Sequence, residues 1–152
     1  MHTQLRQFRR FAQYNAWFNE RLYELVATLP AEQRTRDLGA FFGSIHATLS
    51  HILLADRLWL ARFRRSPLAF ASLEGAALLD SVGSLSDDLW PRFEDLRAER
   101  AATDGVIAAF VEELTPELLA ADLDYRNSKG VPFTSPVWHV VAHVFNHQTH
   151  HR

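Results

Sequence analysis

The chain has 152 residues, 47% of them hydrophobic and 22% charged, and a formal net charge of −2 at pH 7. That length suits a single domain over 1–152 with a real core, and the near-neutral balance argues against a nucleic-acid partner, which asks for a basic face. With no cysteine, disulfides, thiolate metal ligands and a cysteine nucleophile are excluded; no apolar run approaches the ~20 residues of a membrane span, no secretory signal is expected at the charged N-terminus, and a cytoplasmic location is.

Four helical segments follow one another along the chain. In the first, about Thr3 to Leu29, residues Phe8, Phe11, Asn15, Phe18, Leu22, Leu25 and Leu29 recur at steps of three and four, the period of a helix face. Pro30 stops it. The second runs from Ser44, a candidate N-cap after Gly43, to about Phe63, with Ala47, His51, Leu54, Ala55 and Leu58 as its inner stripe. A long small-residue connection, Ser66 to Leu85, follows. The third runs from Asp87 to Leu114 with Leu89, Phe93, Leu96, Arg100, Thr103, Ile107, Phe110 and Leu114 on one face and Pro91 in its first turn. Between Leu123 and Thr134, short alternating runs flank Asn127-Ser128-Lys129-Gly130 and predict a small β-hairpin. The fourth segment starts at Ser135-Pro136, a cap and a proline at the first helical position, and runs to Arg152. The expected fold is all-α, an antiparallel four-helix bundle with a crossover or a loop between segments two and three.

Five of the eight histidines lie between His139 and His151. At ~100° per residue, His143, His147 and His151 share one stripe of segment four with Val140 and Val144, so the stripe is expected to face inward. His51 is on the inner stripe of segment two, whereas His46 is rotated ~140° from it. A neutral imidazole in an apolar interior needs a partner, and a metal ion is one. A lone inward histidine is more often a hydrogen-bonded core residue. An i,i+4 pair joined by a third histidine from another helix favours a metal instead. His51, His147 and His151 are the expected ligands, and His143, one turn earlier, could replace either partner on its helix. Three ligands leave positions open for water or substrate, the catalytic pattern.

The remaining candidates are supporting ones. Asn15 is predicted either to orient a ligand histidine or a metal-bound water or to bond backbone. His139 and His150 fall off the stripe as surface or supporting groups, and His2 is terminal. Trp17, Trp59, Trp90 and Trp138 suit core and interface packing. Arg6-Arg9-Arg10 and Arg62-Arg64-Arg65 read as solvated faces, with attraction of an anionic substrate as the second reading.

The run Tyr14-Asn15-Ala16-Trp17-Phe18-Asn19-Glu20-Arg21-Leu22 resembles the first helix of the DinB/YfiT-like superfamily. Ser44-Ile45-His46-Ala47-Thr48-Leu49-Ser50-His51-Ile52-Leu53 with Ala55-Asp56, and Arg97-Ala98-Glu99-Arg100, are similar to later parts of it. The closing Phe145-Asn146-His147-Gln148-Thr149-His150-His151-Arg152 is the most specific piece. The resemblance covers essentially the whole chain. It implies a four-helix bundle holding one divalent metal, nickel or zinc, on His51, His147 and His151, a homodimer, and a small-molecule substrate. It also implies, for some relatives, a low-molecular-weight thiol as co-substrate, as in mycothiol-dependent isomerases and bacillithiol or glutathione S-transferases. In the family the closing motif continues past the arginine with glycine and glutamine, so a natural chain longer than Arg152, or a weakened site at a fraying helix end, is expected here.

The function expected first is a metal-dependent thiol S-transferase, because the nucleophile missing from the protein would then arrive with the co-substrate. The alternatives are a metal-dependent hydrolase, with Glu20, Asp56 or Glu99 as candidate base, and a non-catalytic metal-binding stress-response protein.

Overall fold

The computed structural model describes residues 3–152, so His2 lies outside the described residues. The elements in order are α1 (Thr3–Ala27), α2 (Ala31–Thr35), α3 (Ile45–Arg64), a 3-10 turn at Ala71–Leu73, α4 (Phe93–Glu113), α5 (Pro116–Ala120), β1 (Asp122–Arg126), β2 (Pro132–Pro136) and α6 (Val137–His151). The protein is mostly helical with one small two-stranded sheet. Among the described residues no helix is long and apolar enough to cross a membrane.

Local chemistry sets the boundaries. Ser44 Oγ accepts the backbone N–H of Ala47 at 3.1 Å, so α3 starts where the cap was expected. Thr115 caps α5 through Leu118 N–H, with Pro116 at the first position. The third segment starts later than its apolar pattern suggested, at Phe93 rather than Asp87. Trp90 precedes Pro91 and is thereby pushed out of the helical region. Its buried ring packs beside Phe93, and its carbonyl accepts from His46 Nε2 at 2.8 Å. The fourth segment also starts later. Ser135 and Pro136 belong to β2, paired with Leu123 and Asp122, and the helix begins at Val137. In the hairpin turn Asn127 Oδ1 accepts from Lys129 and Val131 N–H, and Gly130 takes a positive φ of 77°.

The four long helices α1, α3, α4 and α6 pack side by side. Contacting pairs fix their directions. Arg9 meets Glu112 and Tyr23 meets Phe93, so α1 and α4 are antiparallel. His51 meets His147 and Trp59 meets His143, so α3 and α6 are antiparallel too. His46 lies beside Phe93 and Phe63 beside Phe110, so α3 and α4 run parallel. Phe8 meets Phe145 and Asn15 meets Arg152, so α1 and α6 run parallel as well. The expectation of an antiparallel bundle therefore holds for two of the neighbouring pairs and not for α3 with α4 or α1 with α6. A parallel pair cannot be joined by a tight turn, which is why the chain spends residues 65–92 crossing back.

The core has two apolar clusters, one around Phe8, Phe63, Phe110 and Phe145, the other around Tyr23, Leu54, Phe93 and Leu96. Between them along α1 and α4 lies a polar layer of Asn15, Asn19, Asp56, Arg100, Asp104 and Gln148, all buried. That layer explains where the predicted face of α1 went astray. The buried stripe is Leu5, Phe8, Ala12, Asn15, Asn19, Tyr23 and Val26. Asn19 turns inward to serve Asp104, and the larger Phe11 and Leu25 are left exposed.

Candidate metal centre

His51 projects from the middle of α3, and His147 and His151 from the last turns of α6. Their candidate ligand nitrogens all lie within 4.8 Å of one another. The Nε2 atoms of His51 and His147 are 3.2 Å apart. His51 Nδ1 lies 2.8 Å from the carbonyl oxygen of Leu85. Because a carbonyl only accepts, Nδ1 carries the proton and Nε2 presents its lone pair to the other two rings. His147 Nδ1 is buried with no hydrogen-bond partner among the described residues. Three imidazoles whose ring nitrogens converge this closely fit a cation, and the 3.2 Å spacing is close to the ~3.4 Å between two nitrogens on one tetrahedral zinc. Three nearby histidines can therefore hold a metal ion. Phe42 stacks on His51 with ring centres 3.8 Å apart and meets His151 at 5.4 Å, closing one side of the trio. Two clefts, of about 340 and 820 Å³, both reach His51 and His147.

Burial keeps these rings neutral. It pushes His147 down to about 3, reinforced by the neighbouring His151 and His51. His51 and His151 are also lowered, by burial first; the Leu85 hydrogen bond opposes this at His51, and the neighbouring His51 adds to it at His151. Metal and protons compete for the same lone pairs. Zinc affinity should therefore persist through the ordinary histidine value of ~6.5 and decline only at lower pH. In ion-free protein the same shifts lower stability as pH falls below ~6.5, because the unfolded chain binds protons that the folded cluster refuses. Zinc titrations from pH 8 to 4 check the first point; affinity that never declines would mean ligands other than imidazole.

The other predicted residues fall elsewhere. His143 is exposed, one turn before His147, with its ring 5.9 Å from that of His147 and 5.1 Å from that of Trp59. Its stripe turns from the interior toward the cleft there, so it is not among the convergent three. His46 is buried on Trp90, and His139 and His150 are exposed. Asn15 does not reach the histidines, and it does not bond backbone as the plainer reading had it. Its amide nitrogen donates to Asp104 Oδ1 at 3.0 Å and its oxygen accepts from Arg152 at 2.8 Å. The inner face of α1 meets α4 at this level, where a buried carboxylate demands donors. Of the candidate bases, Asp56 is bonded to Arg100 and Gln148, Glu99 pairs with Arg57, and Glu20 is exposed on α1.

The polar layer is what fixes the end of α6. Asp56 Oδ2 accepts from Arg100 Nη1 at 2.6 Å and from Gln148 Nε2 at 2.8 Å. Arg152 donates to Asn15, Asn19 and the Gln148 carbonyl, and its guanidinium lies over Phe18. Gln148 lies between His147 and His151, so the turn that carries both is tied to α1 and α3, and the fraying expected there is opposed by the Arg152 side chain. Sequence reasoning missed Gln148, Asp104 and Phe42. Arg100 on an inner face was the available signal, because a buried guanidinium requires buried acids.

No solved structure matches the chain. Protein DinB of Bacillus subtilis (strain 168) is 26% identical over 140 residues, covering 92% of this chain and 77% of that protein. The model of the DinB family matches residues 1–152, so the chain belongs to the DinB family.

Proposed function

We propose that His51, His147 and His151 hold one divalent ion, nickel or zinc, and that the protein is a metal-dependent transferase acting with an external low-molecular-weight thiol. The convergence of three imidazole nitrogens at the floor of open clefts carries this reading. Imidazole donors suit zinc and nickel rather than hard calcium or magnesium. When bound, such an ion supplies Lewis acidity that favours thiolate over thiol at neutral pH. The residues of the chain do the rest. The Leu85 carbonyl orients His51, Phe42 shields one side of the trio from water, and the cleft past Trp59 and His143 admits a small molecule. The chain has no cysteine to serve as nucleophile, which leaves that part to the external thiol. Hydrolysis is less well supported, because two of the three candidate carboxylate bases are tied up in ion pairs and the third lies on the surface of α1.

The test is to mix metal-loaded protein with glutathione, bacillithiol or mycothiol and a general electrophile such as 1-chloro-2,4-dinitrobenzene, with and without EDTA. At least one thiol should be conjugated above background, and chelator should abolish the excess. Chelator-insensitive rates with every thiol would sink the transferase reading and leave a metal-binding protein.

A homodimer is part of the same proposal. Tyr14 and Trp17 on α1 are 52% and 50% exposed, with their rings 6.0 Å apart, an aromatic patch of the kind that marks an association surface. Light scattering should give the mass of two chains, and Trp17→Glu should shift it toward one. A single-chain mass across a wide concentration range would count against pairing.

A further inference from the structure

We propose that the cleft beside the histidine trio is built for a small organic acid, with its carboxylate on Arg62 and its far end toward His51 and His147. Arg62 follows His51 on α3 by eleven positions, which at ~100° per residue brings it back to the same face about 16 Å along the axis. The two residues line one cleft with His147, Trp59 and Tyr125. The Arg62 guanidinium lies 4.0 Å from the centre of the Trp59 ring and 5.2 Å from that of Tyr125. The two aromatic rings are themselves in edge contact at 5.0 Å.

What singles out Arg62 is that it has no anion. Among the described residues it forms no ion pair and no hydrogen bond to a protein acceptor, although it is half-buried. Its neighbours are provided for: Arg64 and Arg65 both reach Asp80, and Arg126 donates to the carbonyl of Gly130. A guanidinium partly withdrawn from water, set over aromatic rings and with no protein acceptor on its N–H groups, is preorganised for a bidentate carboxylate. Burial lowers its pKa, the sign expected of a cation that lacks a close counter-charge. The wall between Arg62 and the trio is Trp59, Leu58 and Ala55, which suits an apolar or planar body between the two ends of the ligand.

The inference rests on the proposed function only for which end of the ligand reacts, so it can be tested in protein stripped of metal. The probes are 4-phenylbutyrate and its neutral isostere 4-phenylbutyramide, titrated calorimetrically in the presence of EDTA. The acid should bind wild-type protein at least tenfold more tightly than the amide. Arg62→Gln should erase that preference, Arg62→Lys should retain only part of it, and Arg65→Gln, whose arginine is already paired with Asp80, should leave it intact. Equal binding of acid and amide, or a preference that survives Arg62→Gln, would overturn the proposal. A measurement on wild-type protein guards against a misfolded variant: the Trp59 indole N–H resonance, assigned through Trp59→Phe, should shift with acid and not with amide. Failure of these arms leaves metal binding untouched, and failure of metal binding leaves these arms intact.

Discussion

Replacing His51, His147 or His151 with alanine should strip the protein of its divalent ion, with loss of affinity beyond the 10–100-fold that changes in supporting residues typically cause. Elemental analysis and zinc or nickel titration of each variant give the result. His139→Ala and His150→Ala should keep the metal, since both side chains are exposed outside the convergent trio. His46→Ala should keep it as well, while costing stability of about 1–3 kcal/mol for the stranded Trp90 carbonyl. His143→Ala is the discriminating case. Its ring lies beside Trp59 and His147 but its nitrogens are not among the convergent ligand atoms, so metal content should be unchanged. If His143→Ala empties the site and His151→Ala does not, the assignment is off by one helical turn and the centre is misplaced. Folding should survive in all of them, because the two apolar clusters include none of the three histidines, unlike the core of a zinc finger, which depends on its metal.

The trio was legible in the sequence because helical periodicity converts spacing into direction. His147 and His151 are one turn apart, and His51 lies between Ala47 and Ala55 on a stripe of α3 whose other members, Leu54 and Leu58 among them, are apolar. Periodicity reports direction relative to one helix axis and not what stands opposite. For that reason it placed His143 on the same stripe as its two successors without showing that the stripe opens there on the cleft beside Trp59. It likewise read the most apolar residues of α1 as its buried face, when the neighbouring helix offered a carboxylate there and two asparagines turned in to meet it. The late start of α4 was legible in principle, since Trp90-Pro91 breaks a helix. Phe42, Leu85 and Gln148 were not: Phe42 and Leu85 lie in irregular segments outside the helical pattern and act through a ring face and a backbone carbonyl, and the partner of Gln148, Asp56, comes from a helix 92 positions earlier. Arg62 was visible only as one of three arginines. Its difference from Arg64 and Arg65 is the absence of an acid beside it, a property of the folded arrangement alone.

Arg100→Met should be the most destabilising of the substitutions considered, by about 3–5 kcal/mol, the usual cost of removing one member of a buried charge group and leaving the rest unpaired. Arg100 is 2% exposed and bridges Asp56, itself 1% exposed, and Asp104, at 2.6 and 2.7 Å. Methionine fills much of the same volume, so the loss reports charge more than a cavity. Burial raises both carboxyl groups, and the Arg100 charge pulls each partly back. Without Arg100 they rise further. The sign of the pH dependence follows: between the unfolded carboxyl value of ~3.9 and the raised folded value, the native state holds protons that the unfolded chain has released, so stability falls as pH rises through that window. The deficit of Arg100→Met relative to wild type should therefore be larger at pH 8 than at pH 5, as guanidinium melts at the two pH values would show. The same variant should bind metal more weakly even where it is folded, because Asp56 also anchors Gln148 between His147 and His151. Arg57→Met is the control: its partner Glu99 is on the water side and loses little by release. A deficit under about 1 kcal/mol that is indifferent to pH would mean that the layer is a solvated surface network, and that the last turn of α6 is held by packing alone.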